Sequence, residues 1–325
     1  MASRTWFVAA VAGLALVSPL VAACGDDAGA GDNPSISLIV GLKGDAFYGS
    51  MACGARQAAK RAGATLDVQG PGKWDAPEQI QVLNSVLAKQ PDAILIAPVD
   101  DTALQAPLEE AAAQGITIVL VDTTLKDPKP AAAQVTSDDQ LAGEHAAEEV
   151  IRETGGKGSV IAINTQPGVS TVEARMKGFE AGLKKAPGLQ YLGRQDVGDD
   201  AAKAATAVTS TLASHPDLSA VFATNTLTGQ GAATGIKNAN KTGDIKLVGF
   251  DANPSGVEAL QDGTAQAQVV LKPLDIGTKG VEQAMNALND KPVEKLIHTD
   301  SLIATKDSLS TKPVSTYLYN DNCTG

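Results

Sequence analysis

The sequence predicts an α/β protein built from two doubly wound, parallel-sheet lobes. Three observations point there. Short β-branched apolar runs alternate with longer Ala-rich stretches; the runs are apolar throughout; and the rhythm begins again near the middle of the chain. Continuously apolar strands belong to parallel sheets covered on both faces. Repeated strand–helix–strand units build such sheets, and two sets of them build two similar lobes.

The N-terminus stands apart from that pattern. Arg4 gives a positive start, an apolar run extends from Trp6 to Leu16, and Ser18 and Pro19 interrupt it before Leu20-Val21-Ala22-Ala23-Cys24. A charged start, a short apolar core and small residues before a cut describe a secretory signal over residues 1–23. A stretch near the minimum of roughly 17 residues for a span, holding a proline, is a poor membrane helix, although a plain signal peptide or a membrane anchor are the alternatives. Small residues followed directly by Cys24 resemble the bacterial lipobox, in which that Cys is acylated. Residues 24–35 are rich in Gly, Asp, Ala and Asn and read as a flexible, lipid-anchored tether.

The first lobe then unfolds in order. Ile36–Leu42 reads as a strand, and Phe47–Ala62 as a helix with Phe47, Met51, Ala55, Ala58 and Ala62 on one face, closed by Gly63. Thr65–Gln69 is a strand, and Pro77–Ala88 is a helix with proline in its first turn. Ala93–Ala97 and Ile116–Val121 are strands with a helix between them. The second set follows: strands at Ser159–Ile163, Leu189–Val197, Ala220–Ala223, Lys246–Phe250 and Ala267–Leu271, with helices interleaved, among them Val172–Lys185. Between the sets lies the extended, polar Ala133–Asp138; later, Val269–Pro273 leads into a helix over Ile276–Leu288, and Ile297–Thr305 is a last extended piece.

About 290 residues follow the tether, enough for two lobes. The net charge of -11 and the lack of a basic block exclude nucleic acid as a partner. The three histidines, His145, His215 and His298, are scattered, and no hydrolase, zinc or Walker motif occurs, so no catalytic residues, metal or cofactor are expected. Gly229-Gln-Gly231-Ala-Ala-Thr-Gly235 has its third glycine one residue late for a dinucleotide loop and reads as a small-residue helix start. If Cys24 carries lipid, Cys53 and Cys323 remain. In an exported protein they are expected to pair and tie the first helix to the tail; the alternative is a buried free Cys53 and a loose tail.

Ligands of open parallel sheets bind beyond the carboxyl ends of the strands. The residues at those tips are Lys43, Asp45, Phe47 and Tyr48, then Trp74, then Asp122 and Thr123; in the second set they are Gln166, Ser170, Arg175, Asn225 and Asp251. Carboxylate, amide and guanidinium groups match hydroxyls that both donate and accept, and aromatic faces cover C–H surfaces. The mixture suits a sugar or polyol. The plainer alternatives are that Phe47 is a helix core residue and that Asp122 and Asp251 are helix caps or turn residues.

Several motifs, in order and spacing, resemble the ribose-binding-protein branch of the type 1 periplasmic binding proteins, the sugar receptors of ABC importers. They are Phe47-Tyr48, Pro91–Pro98, Val121-Asp122, Ser137-Asp138, Ala174-Arg175 before Gly178-Phe179, His215-Pro216-Asp217, Ala223-Thr224-Asn225, Val248–Asp251 and Ile276–Gly280. The resemblance spans about residues 36–305. It implies Rossmann-like lobes joined by a three-segment hinge, with residues 36–137 and 272–300 in the first lobe, 138–271 and 301–310 in the second, and 311–325 as a tail. It implies a ligand cleft holding Phe47, Tyr48, Asp122, Arg175, Asn225 and Asp251. The chain departs from the branch at Gly41, Asp45, Thr123 and Leu271, where a polar side chain, an Asn, an Arg and an amide are expected. Those departures question ribose itself and, at Thr123 and Leu271, suggest a guest more compact or linear than a furanose. The implied protein is an exported monomer, held by lipid on the outer face of the cytoplasmic membrane. It would close on a pentose, hexose or polyol and deliver it to ABC permease subunits. A sensor presenting its ligand to a membrane receptor, and a secreted α/β enzyme, are the alternatives.

Overall fold

A computed structural model describes residues 33–319 and 323. The expected signal segment, Cys24 and most of the tether lie outside the described residues. In one sheet, β1 (Ser35–Ile39), β2 (Thr65–Gln69), β3 (Ala93–Ile96), β4 (Thr117–Val121), β5 (Ala133–Ser137) and β11 (Leu296–Thr299) run in the order β2-β1-β3-β4-β5-β11, with every neighbouring pair parallel. The other sheet holds β6 (Gly158–Asn164), β7 (Leu189–Asp196), β8 (Leu218–Ala223), β9 (Lys246–Phe250), β10 (Ala267–Val270) and β12 (Leu302–Ala304), in the order β7-β6-β8-β9-β10-β12. The two orders are the same permutation, so each strand of one lobe has a counterpart in the other. The edge strand β12 departs from the parallel expectation, since it pairs antiparallel with β10.

The first sheet is covered on both faces. Ile39, Ile94, Ile96, Ile118 and Leu120 pack with Leu83 and Val86 of α2 (Ala76–Leu87) and Leu108 of α3 (Gln105–Ala113). Their strand neighbours Leu38, Leu95, Val119 and Val121 belong to the opposite cluster, with Met51 and Ala55 of α1 (Ala46–Ala62) and Val281 of α9 (Pro273–Leu288). Alternate strand residues point to opposite faces, which is why apolar side chains are needed at every position. Burying one such Leu or Ile stabilises the fold by roughly 1.5–3 kcal/mol. In the second lobe α4 (Asp139–Thr154) packs on α5 (Ser170–Leu183), and α6 (Ala201–Ser214) packs on α7 (Thr226–Asn238), which also touches α8 (Pro254–Gln261).

The chain changes sheet three times: from β5 to α4, from β10 to α9, and from β11 to β12. The expected last extended piece is therefore two strands in two sheets, with Asp300 and Ser301 between them. α9 starts at Pro273, three residues earlier than expected, because proline fits a first helical turn whose N–H groups have no intrahelical partner. Cys53 of α1 and Cys323 of the tail form a disulfide with Cα atoms 5.1 Å apart.

Glycines set the closest helix contacts. A Cβ on Gly54 would overlap the Leu274 carbonyl, and one on Gly277 would overlap that of Met51, so α1 and α9 approach backbone to backbone. The equivalent pair repeats this: Gly143 of α4 faces the Arg175 carbonyl, and Gly178 of α5 faces that of Gln140. Gly231, singled out in the sequence as part of a small-residue helix start, lies inside α7 and faces the Ala201 carbonyl of α6. We predict that Gly143→Ala destabilises the fold by about 1–3 kcal/mol, the range for overpacking. Gly229→Ala, where a new methyl meets nothing within 4 Å, should be neutral or stabilising. Urea denaturation of the two variants checks the contrast.

Candidate functional site

The carboxyl ends of both sheets open onto one cavity of about 540 Å³, within the range of small-ligand sites. From the first lobe Lys43, Asp45, Phe47, Tyr48, Trp74 and Asp122 line it. The second lobe contributes Gln166, Arg175, Asn225 and Asp251 from the expected set, and also Thr165, Asp199, Thr226, Gln230 and Asn253. On one side the lobes touch through a hydrogen bond of 3.1 Å donated by the Thr124 N–H to Ser170 Oγ.

Two aspartates occupy corresponding places. Asp122 follows β4 and Asp251 follows β9, strands with the same position in their sheets. Both adopt left-handed backbone angles, φ 64° and 72°. Each N–H donates to the next strand, Asp122 to the Val135 carbonyl and Asp251 to that of Val269, both at 2.9 Å. Asp tolerates this conformation better than most residues, but it costs on the order of 1 kcal/mol or more. The strained turn aims a carboxylate beyond the strand end. Neither residue is a helix cap.

Asp45 and Asn225 do cap helices. Asp45 Oδ1 accepts from the Phe47 N–H at 2.8 Å and starts α1. Asn225 Oδ1 accepts from the Thr228 N–H at 2.9 Å, while its Nδ2 donates to Asp199 at 3.0 Å. Capping fixes both side chains at the cavity wall, so the structural role serves the positional one. Buried Gln79 of α2 plays a supporting part: its amide donates to the Ala97 carbonyl at 2.7 Å and accepts from the Val99 N–H at 2.9 Å, fixing the tip of β3.

The aromatic wall depends on a missing side chain. Tyr48 lies edge-on to Phe47, with ring centroids 5.2 Å apart, and stacks near Trp74 at 6.4 Å. A Cβ on Gly41 would overlap the Tyr48 hydroxyl and the Trp74 ring. The space that a polar side chain was expected to fill therefore holds two rings. The same tyrosine donates its hydroxyl to Asp122 at 2.7 Å. Trp74 Nε1 and Thr165 Oγ1, both on cavity-lining residues, are buried without a hydrogen-bond partner.

Arg175 is 5% exposed although it lines the cavity. Its Nε donates to Asp139 and its Nη1 to the Thr224 carbonyl, both at 2.8 Å, and the guanidinium lies 4.5 Å from the centre of the Phe250 ring. Burial disfavours its charge, but Asp139, Asp251 and Asp122 hold it protonated. The carboxylates feel the opposite balance. Burial, then the charge of Asp139, pushes the Asp122 carboxyl up to about 7. Burial, then the charge of Asp251, pushes Asp45 up to about 6. Burial raises Asp139 to about 6 against the pull of Arg175, and burial raises Asp251.

Three expected residues do not line the cavity: Ser170, whose hydroxyl accepts the Thr124 N–H, Thr123 and Leu271. Thr123 is 1% exposed and its hydroxyl donates to the Pro98 carbonyl at 2.7 Å, because the turn that aims Asp122 outward sends the next side chain inward. Leu271 is fully buried, and its N–H donates to the Tyr319 hydroxyl at 3.1 Å. With neither Thr123 nor Leu271 on the cavity, the reason for expecting a guest more compact than a furanose falls away. Gln230, Thr226 and Asn253 were missed because they follow the strand tips by several residues; their signal was the N-terminal turns of the helices that begin there. Tyr319, from the tail, donates to Asp251 at 3.1 Å and gave no local signal at all.

Carboxyl groups raised in the folded state bind extra protons there between their ordinary range, near 3.8, and about 6–7. Their stabilising contribution is complete below the ordinary range and is lost as the pH rises through 6–7. The ligand-free protein should therefore unfold at a lower temperature at pH 8 than at pH 5. Asp122→Asn should flatten part of that slope. Differential scanning fluorimetry across this window measures both; a midpoint that rises with pH contradicts the assignment.

Comparisons with known proteins agree with this fold. Residues 36–292 match the family model described as a periplasmic binding protein domain. The ribose import binding protein of Bacillus subtilis is 29% identical over 272 residues, which is 84% of this chain and 87% of that protein. An ABC transporter solute-binding protein of Agrobacterium vitis, solved with bound α-D-tagatopyranose, is 37% identical with a TM-score of 0.87, covering 89% of this chain and 100% of that one. A second solute-binding protein of Agrobacterium vitis, solved with D-fucose, is 31% identical with a TM-score of 0.83, covering 88% and 100%. Paired lobes, a shared cavity at the strand ends and a family match across most of the length lead to one conclusion: this chain belongs to the periplasmic binding protein family.

Proposed function

We propose that this chain is the extracytoplasmic solute-binding protein of an ABC importer, taking a monosaccharide or sugar alcohol into the interlobe cavity and presenting it to the permease. The observation that carries the reading is the pair of strand-tip carboxylates, Asp122 and Asp251, contributed by different lobes to one cavity. Hydroxyls on both sides of a small ring would be held by carboxylates from the two lobes. Phe47, Tyr48 and Trp74 would cover its C–H face. The unpartnered Thr165 hydroxyl and Trp74 indole N–H would gain partners from the guest's oxygens. The Bacillus subtilis relative is named for ribose import, and the two solved neighbours hold tagatose and fucose, which supports a pentose or hexose. They are binding proteins rather than enzymes.

The bodies that move are residues 36–137 with 272–300, and 138–271 with 301–310, turning about the three crossings. Among the described residues no helix is long and apolar enough to cross a membrane. We place the protein on the outer face of the cytoplasmic membrane through acylated Cys24.

A panel of D-tagatose, D-fucose, D-ribose, D-arabinose and D-allose, with the matching alditols, tests the function by thermal shift and calorimetry. At least one sugar should raise the unfolding temperature. Asp122→Ala and Asp251→Ala should each weaken its binding by about 2–4 kcal/mol, the scale of losing a charged hydrogen-bond anchor. A panel without any binder would remove the reading. For the anchor, Cys24→Ser should move the protein from the membrane fraction to the soluble one; unchanged fractionation would show that the lipid is not what holds it.

A further inference from the structure

The tail offers an inference that the sugar-binding reading does not contain. After β12, in the second lobe, the chain crosses back toward the first. The Tyr317 hydroxyl donates to Asp275 of α9 at 3.1 Å, and Lys272, at the second crossing, lies 5.4 Å from the centre of the Tyr317 ring. Tyr319 then enters the junction of the lobes and is 4% exposed. Its ring packs edge-on to Phe47 of the first lobe at 5.7 Å. Its N–H donates to the Ala252 carbonyl, and its hydroxyl accepts from the Leu271 N–H and donates to Asp251, all in the second lobe. Four residues later, Cys323 is bonded to Cys53 in the first lobe.

We propose that the C-terminal tail is a fourth connection between the lobes, locked by the Cys53–Cys323 bond, in which Tyr319 is a positioning residue that holds Asp251 at the ligand cavity. The three backbone crossings are single passages of the chain, whereas this connection is closed by a side-chain bond at its far end. One buried ring touches both lobes and one hydroxyl bridges the end of β10 to the cavity carboxylate. Releasing the tail removes the Tyr319 hydrogen bond to Asp251, leaving only Thr226 to donate to that carboxylate, and leaves the Leu271 N–H without its acceptor. The consequence is a receptor whose grip on its guest depends on an intact disulfide, as suits a protein that works in an oxidising compartment.

Hydrogen exchange on the full exported chain tests this without any ligand, so its failure is separable from failure of the sugar-binding reading. Cys323→Ser should speed exchange of the Leu271 and Tyr319 amides by about tenfold or more relative to core amides such as Leu38 and Val248. Dithiothreitol should do the same to the unmodified protein, and Tyr319→Phe should reproduce the effect at Leu271 with the disulfide intact. In the binding arm, D-tagatose (or the tightest sugar of the panel) should dissociate several-fold faster from Cys323→Ser and from Tyr319→Phe than from the parent. Exchange at Leu271 unchanged after tail release overturns the proposal. So does exchange that rises only in step with the core, since that reports general loss of stability. Accelerated exchange with an unchanged sugar dissociation rate refutes the positioning role of Tyr319.

Discussion

The molecule is organised around buried negative charge. Five carboxylates, Asp45, Asp122, Asp139, Asp199 and Asp251, gather where the lobes meet, and burial raises the proton affinity of each. Isolated carboxylates in such surroundings are strongly unfavourable, so the rest of the site reads as compensation. Arg175 sits against Asp139 and is held by the Thr224 carbonyl and the Phe250 face. Tyr48 and Tyr319 each donate to one strand-tip aspartate. The two α4–α5 glycines belong to this arrangement as well, because the Gly143 contact is with the backbone of Arg175 itself.

Sheet architecture explains why so much of the site could be found from the sequence. Asp122 and Asp251 each follow a run of apolar strand residues, and a parallel sheet places whatever follows such a run at a ligand-facing edge. Asp45 and Asn225 lie between a strand and a helix and obey the same rule. The cap alternative attaches in the sequence to Asp122 and Asp251, yet it is Asp45 and Asn225 that cap helices, and for them capping and lining the cavity are compatible. The rule fails where one residue decides the direction of the next. Once Asp122 takes a left-handed turn, Thr123 points into the protein, and no composition or spacing reveals that. Leu271 fails for a different reason: it ends a strand beside a crossing, and the tail covers it.

Contacts made by distant segments were the least legible part. Tyr319 is separated from Asp251 by 68 positions, and nothing in its neighbourhood marks it as part of a cavity wall. Ile297–Thr305 reads as one extended piece divided between the lobes after residue 300, and the sheets do claim its halves separately, but nothing in its pattern marks β12 as antiparallel. The hydrophobic pattern specifies which faces are covered; it carries little information on the direction in which a short edge segment pairs.

Gly41 has a consequence for how such a receptor can change its preferences. Its vacant side-chain volume is occupied by the Tyr48 hydroxyl and the Trp74 ring, and that hydroxyl is also what steadies Asp122. Any larger residue introduced there must evict a ring and unsettle a carboxylate in the same step. Divergence toward a new guest through this position therefore has no gradual route: it demands coordinated replacement of glycine, tyrosine and tryptophan, and single-step variants are expected to lose the old selectivity before acquiring another.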